Sequence, residues 1–193
     1  NYKNLAIRSA EPATFTSSIN AGKYSSLILP FDCALPEGMT AYTINGVEGE
    51  EGNIVTLKEV TTTLQAMVPY IVKAGDTKFD YEVTGTGKAY VDNSYQPDGN
   101  WLVGALFNQN AIEGLPAIKQ KVPVSDDDYK TYVLNTQNGK QAFYVYTKEA
   151  NRYCQAGKTY LRVPKASAED PGAPSSVKQA LFFRFDDGTG IEE

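Results

Sequence analysis

Apolar and polar positions alternate along most of this chain, in short runs broken by Gly, Pro, Asn and Asp. A period of two places alternate side chains on one face of a pleated strand, so the pattern predicts strands nearly throughout. Candidates are Asn4 to Arg8, Ala13 to Ser17, Tyr24 to Leu29, Ile54 to Lys58, Gln65 to Lys73 and Phe79 to Thr84. Lys88 to Val91, Trp101 to Phe107, Thr159 to Val163 and Gln179 to Phe185 continue the series. Lys130 to Leu134 and Gln141 to Tyr146 flank Asn138-Gly139, a dipeptide that accepts the positive φ of a tight hairpin. Asn45-Gly46, within Thr43 to Val47, predicts a second turn of that kind. Only Asn110 to Gly114 and Thr147 to Arg152 could form a helical turn or two, and neither carries a sustained 3.6-residue stripe.

The strongest single segment is Tyr24 to Asp32, which runs into Leu35-Pro36-Glu37-Gly38. Leu27, Leu29 and Phe31 alternate on one face, and Pro30 stops the ladder because it has no N–H to donate. Near the other end, Leu181, Phe183 and Phe185 point one way while Phe182 and Arg184 point the other. Short strands at regular spacing predict an all-β, antiparallel β-sandwich with minimal helix, its order (jelly-roll or immunoglobulin-like) left open.

At 193 residues the chain fits one domain, residues 1–193, or two similar halves sharing one core. Ala21-Gly22-Lys23-Tyr24 is echoed by Ala156-Gly157-Lys158-Thr159-Tyr160, which reads either as a duplication or as the repetitive turn chemistry of β proteins. Lys165 to Val177 is expected as a long exposed loop.

Composition changes the picture by exclusion. The net charge is -5 and no basic run exists, which is the wrong electrostatics for nucleic acid or an anionic membrane surface. No apolar stretch approaches the roughly 20 residues of a transmembrane helix. Cys33 and Cys154 form no CxxC pair. A disulfide closing so long a loop would stabilise the fold by about 4 to 5 kcal/mol in the chain-entropy view, and the alternative is two separate buried thiols.

The chain resembles a domain of secreted and surface-attached proteins from Bacteroides-type gut and oral bacteria. The resemblance rests on Leu29 to Asp32, Leu35 to Gly38 with Tyr42, Pro69 to Lys73, Leu102 to Gly104, Tyr132 to Leu134, Ala156 to Leu161 and Asp186 to Ile191. It implies an accessory module appended to a larger parent protein with other domains, extracellular or on the outer membrane. It brings no catalytic residue; Cys33 and Cys154 depart from its pattern.

Candidate chemistry is sparse. The chain has no histidine, which removes Ser-His-Asp and Cys-His catalysis and nearly every catalytic zinc set. Asp126-Asp127-Asp128 and Asp186-Asp187-Gly188 are the densest carboxylates, but neighbours on one turn diverge, whereas a glycosidase needs two carboxyls about 5 to 9.5 Å apart across a cleft. Asp126, Asp127 and Asp128 are weak Ca²⁺ candidates without the spacing of a calcium loop. Gly85-Thr86-Gly87-Lys88 only superficially matches a phosphate loop. In Asp92 to Trp101, Asn93, Tyr95, Gln96 and Trp101 combine aromatic faces with amide groups, the chemistry that holds sugars. The competing reading packs Trp101 into the core at the start of its strand. The expectation is therefore a non-catalytic accessory or adhesion module, not an enzyme, with no cofactor and with a glycan or a host or bacterial surface protein as partner. The alternative is a carbohydrate-binding module using loop aromatics.

Overall fold

The computed structural model describes residues 12–48, 53–86, 94–95, 99–105, 122–146, 154, 157–165 and 180–185. These form fourteen strands and, among the described residues, no helix. In chain order they are β1 (Pro12–Ile19), β2 (Tyr24–Leu27), β3 (Cys33–Ala34), β4 (Met39–Glu48), β5 (Ile54–Val60), β6 (Thr63–Leu64) and β7 (Tyr70–Ala74). Then come β8 (Phe79–Thr86), β9 (Ser94–Tyr95), β10 (Leu102–Ala105), β11 (Tyr129–Gln137), β12 (Lys140–Val145), β13 (Lys158–Pro164) and β14 (Ala180–Phe185). The expected Asn4 to Arg8 and Lys88 to Val91 strands, and both candidate helical turns, lie outside the described residues.

Ten strands share one sheet in the order β2-β7-β4-β5-β14-β12-β11-β13-β10-β9, while β1-β8 and β3-β6 form two small ribbons. Every pairing is antiparallel except β14 with β5, where Phe182 to Phe185 run alongside Ile54 to Leu57. The sheet is thus mixed rather than purely antiparallel, because β14 lies between the β4-β5 and β11-β12 hairpins and runs parallel to β5.

With the short edge strand β9 set aside, the sheet repeats itself when read inward from its two ends. The order β2-β7-β4-β5 matches β10-β13-β11-β12. The register matches as well. Leu27 faces Tyr70 as Val103 faces Tyr160, and Tyr42 faces Ile71 as Tyr132 faces Leu161. Ile44 faces Leu57 as Leu134 faces Phe143. The sequence carries this correspondence in Gln65-Ala66-Met67-Val68-Pro69-Tyr70-Ile71 against Gln155-Ala156-Gly157-Lys158-Thr159-Tyr160-Leu161. The echo between Ala21–Tyr24 and Ala156–Thr159 is therefore out of step with the fold: β2 matches β10, and β13 matches β7. What that echo shares is turn chemistry, since Gly22 and Gly157 both sit at positive φ, 60° and 77°, ahead of a strand.

Two further expectations change. Asn45-Gly46 makes no turn but lies inside β4, where a bulge between Ile44 and Gly46 shifts the register against β5. Gln65 to Pro69 is not strand; Met67 adopts a left-handed φ of 63° and donates its N–H to Leu29 O. The Asn138-Gly139 hairpin is present, with φ of 51° and 80° at its two central residues.

Three apolar clusters hold the fold. One is confined to the first half and includes Leu27, Leu29, Phe31, Leu64, Tyr70 and Val72, covered by Phe15 and Ile19 of β1 and by Tyr81 and Val83 of β8. A second is shared: Tyr42, Ile44, Leu57 and Ile71 from one half meet Tyr132, Phe143, Leu161 and Phe183 from the other. A third, smaller one belongs to the second half: Val103, Ala105, Val122, Tyr146, Cys154 and Tyr160. Leu27, Leu29 and Phe31 share the first-half cluster, although β2 ends at Leu27 and the intervening Ile28 is buried as well; in β14, Leu181 and Phe183 are buried with Phe182 less so.

The sheet curls so that β2 returns to β13 and β10. Ile28 N donates to Gly157 O and Thr159 N to Ser26 Oγ. Ile28 also lies against Gly104, its own counterpart in the repeat.

Candidate functional site

Two seams join the halves, and they are built differently. At one, Asn100 is buried; its Oδ1 accepts from Ile44 N (3.3 Å) and Leu102 N (3.2 Å), and its Nδ2 donates to Pro69 O (2.9 Å). Next to it, Trp101 N donates to Ile44 O at 2.7 Å. The backbone of one half is thus stitched directly to that of the other.

At the other seam a side chain replaces that contact. Tyr24 stands where the repeat has Asn100, and the Gln141 amide clamps its backbone at both ends. Oε1 accepts from Tyr24 N at 2.7 Å, and Nε2 donates to Tyr24 O at 2.8 Å. Beside this clamp is a cavity of about 340 Å³, walled by Tyr24, Ser25, Ser26, Gln141, Val133, Leu134, Val122 and, from β13 and the residue leading to it, Lys158, Thr159, Tyr160 and Cys154. Lys158 Nζ donates to Ser25 Oγ (2.9 Å) and Ser26 O (3.4 Å). Among the described residues no carboxylate pairs with it. Burial holds its pKa below the usual lysine value, and neighbouring Cys154 opposes that shift.

Of the residues singled out for sugar binding, Asn93 and Gln96 lie outside the described residues. Tyr95 lies in β9, its backbone opposite Gly104. Trp101 is half-buried and packs against the shared core, with its backbone holding Ile44 and Arg162. The structure brings Trp101 to the seam, and does so through its backbone.

The acidic turn is fully engaged at its first residue. Asp126 Oδ1 accepts from Tyr129 N (2.7 Å) and Asp128 N (3.1 Å), and Oδ2 pairs with Arg162 Nη2 at 2.8 Å. Lys165 Nζ donates to Asp126 O. The Tyr129 N–H first, and the Arg162 charge after it, lower the Asp126 pKa. Arg162 in turn lies over the Tyr129 ring, 4.1 Å from its centroid. An Asx-type turn stapled to β13 is what these residues build. Among the described residues no group of three or more Cys, Asp or Glu is placed to hold a metal ion. Asp186 and Asp187 lie outside the described residues.

Cys33 and Cys154 are not joined in a disulfide; Cys33 packs against the first-half cluster and Cys154 belongs to the second-half one. The two thiols are thus separate, as the alternative reading has it, but only Cys154 is buried; Cys33 is partly exposed.

Lys158, Gln141 and Ser25 were not visible as a group from the sequence, because a seam between β2, β12 and β13 is a long-range product of the topology. The one local signal is Lys158 itself, a charge where its counterpart, Val68, packs against a core. No family model matches this chain, and neither a curated protein nor a solved structure matches it.

Proposed function

We propose that the chain is a non-catalytic accessory or adhesion module of a secreted or surface-attached bacterial protein, acting outside the cell or on the outer membrane alongside other domains. The observation that carries this reading is where the motif elements of the resemblance fall. Leu29 to Asp32 leave β2, and Asp32 Oδ1 accepts from Ala66 N at 2.6 Å. Pro69 to Lys73 lead into and form β7, Leu102 to Gly104 form β10, Tyr132 to Leu134 lie in β11 and Gly157 to Leu161 enter β13. Each described element is scaffold, serving strand exit, register or core. Such a pattern supports the module reading, in which function is carried by groups outside the shared scaffold.

The test is the purified chain on a glycan array and on immobilised host and bacterial surface proteins, beside peptide, ester and glycoside hydrolysis assays. Saturable binding without turnover supports the module. Turnover that disappears on replacing a single Asp or Glu overturns it. Glycan binding lost in Trp101→Ala, with the fold intact, would favour the carbohydrate-binding alternative.

A further inference from the structure

The repeat supplies an internal comparison that a single fold rarely offers. In the first half, the place of Lys158 is held by Val68, and that of Cys154 by Leu64, which is fully buried. Val68 packs against the cluster of Leu27, Leu29, Phe31 and Tyr70, which β1 and β8 cover. In the second half the same framework leaves a cavity, and places a lysine ammonium where the repeat has an aliphatic side chain.

Desolvating an ammonium is unfavourable unless something compensates it. Lys158 has three donors, and the described partners, Ser25 Oγ and Ser26 O, are neutral oxygens that occupy two of them. Ser25, Ser26, Thr159 and Gln141 give the cavity polar wall beside the lysine, and the Thr159 N–H is already engaged by Ser26 Oγ at 3.0 Å. Val122, Val133, Leu134, Tyr24 and Tyr160 also line it. Roughly 300 to 1,000 Å³ is the range of small-molecule pockets, and this one sits at its lower end.

We propose that the seam cavity between Lys158, Ser25, Thr159 and Gln141 binds a small organic monocarboxylate, its carboxylate on the Lys158 ammonium and its body against Val133 and Leu134. One ammonium compensates one negative charge. A phosphate dianion would call for more donors than this wall carries. The shared chemistry is a carboxylate on a compact body, and two sources fit it: a free aliphatic or aromatic acid, or a uronic acid. This inference stands apart from the module reading above, which survives if the cavity binds nothing.

The experiment is calorimetric titration of the whole chain with hexanoate, benzoate and glucuronate, each against its neutral counterpart: hexanamide, benzamide and glucose. Ligands this small should bind with a Kd of about 1 mM or tighter. Each binding acid should exceed its neutral counterpart at least about tenfold, the usual discrimination of a charge-assisted hydrogen bond. Glucuronate alone binding would assign the site to acidic sugars; hexanoate or benzoate binding would assign it to free acids. Lys158→Met should abolish the preference for the acid, and Lys158→Arg should retain part of it. Val133→Trp, which fills the cavity without touching the charge, should block all binding, and circular dichroism must show each variant folded. NMR of the wild-type chain with ¹³C-labelled lysine gives a readout independent of any variant: the Lys158 Cε resonance should move with the bound acid and not with its amide. Equal affinity for acid and neutral partner, or no binding and no Lys158 shift near 10 mM acid, about tenfold above the expected Kd, overturns the proposal.

Discussion

Met67 and Gly157 occupy the same place in the two halves and share one backbone conformation, with φ of 63° and 77°. Each donates its N–H to the chain alongside the strand it leads into, Met67 to Leu29 O just past β2 at 2.7 Å and Gly157 to Ala105 O of β10 at 2.8 Å. Only one of the two carries a Cβ. A left-handed φ costs a non-glycine residue roughly 1 to 2 kcal/mol, so the turn is strained in the first half and relaxed in the second.

The first prediction is an asymmetry between these positions. Gly157→Ala should destabilise the chain by about 1 to 2 kcal/mol. Met67→Gly should leave stability unchanged or raise it by no more than about 1 kcal/mol, since relieved strain is partly offset by the entropy of a new glycine and by loss of a half-buried side chain. Urea unfolding of both variants checks this. If Met67→Gly lost as much as Gly157→Ala, the Met67 side chain and not its backbone would be what secures the turn.

The second prediction concerns the closure of the sheet. A Cβ on Gly104 would meet Ile28 Cδ1 well inside van der Waals distance, and would lie 3.1 Å from both Cβ and Cγ2 of Ile28. Gly104→Ala should therefore cost about 1 to 3 kcal/mol by overpacking. Ile28→Val removes the worst contact, so the double variant should be more stable than the sum of the two single losses. Simple additivity in a denaturation cycle would mean that β2 and β10 can part at little cost.

The strands were legible because their signal is local. Alternation in Tyr24 to Leu29 and Leu181 to Phe185, and the positive-φ pair Asn138-Gly139, act over a few residues each. The Asn45-Gly46 turn failed because a bulge uses the same glycine tolerance as a hairpin turn does, and only pairing across to Leu57 and Thr56 distinguishes them. The repeat was visible in the wrong register, since Gly-Lys before an aromatic residue is short and strong, whereas the true correspondence of Gln65 to Ile71 with Gln155 to Leu161 shares few identical residues. The candidate site was not legible at all. Gln141 and Tyr24 are brought together by the closure of ten strands, and no window of sequence contains both.

The third prediction tests the first-half core. Leu29 is 1% exposed and lies with Leu27, Phe31 and Tyr70 under β1 and β8. Leu29→Ala should cost about 2 to 5 kcal/mol through lost burial and a residual cavity. Exposed Lys78→Ala, which loses only a surface pair to Asp80, should change stability by less than about 0.5 kcal/mol. Equal midpoints for the two variants in guanidinium would mean that Leu29 does not report on a packed interior.

The last prediction is alkaline instability that begins in this same core. Burial first, then the Asp32 charge, pushes the Cys33 thiol from 9.0 to about 11. Burial pushes the Tyr81 phenol from 10.0 to about 12, against a smaller opposing hydrogen bond from Ser17. Tyr70 is raised too, again chiefly by burial. Each of these groups holds its proton more tightly when folded. Their stabilisation is therefore complete below the unfolded values, starting to fall near pH 9 for Cys33 and near pH 10 for the phenols, and it is lost as pH climbs through about 11 to 12. Lys158 works the other way, since its lowered pKa makes stability rise with pH up to the unfolded lysine value of 10.5. A difference measurement removes that opposing contribution. Cys33→Ala deletes only the thiol, so stability measured by urea unfolding from pH 8 to 11 should fall less steeply in the variant than in the parent, with the gap opening above pH 9. Parallel profiles across that window would mean that the thiol ionises as easily in the folded chain as in the unfolded one, and that Cys33 is not held in the apolar contact with Leu64 and its neighbours from which the shift arises.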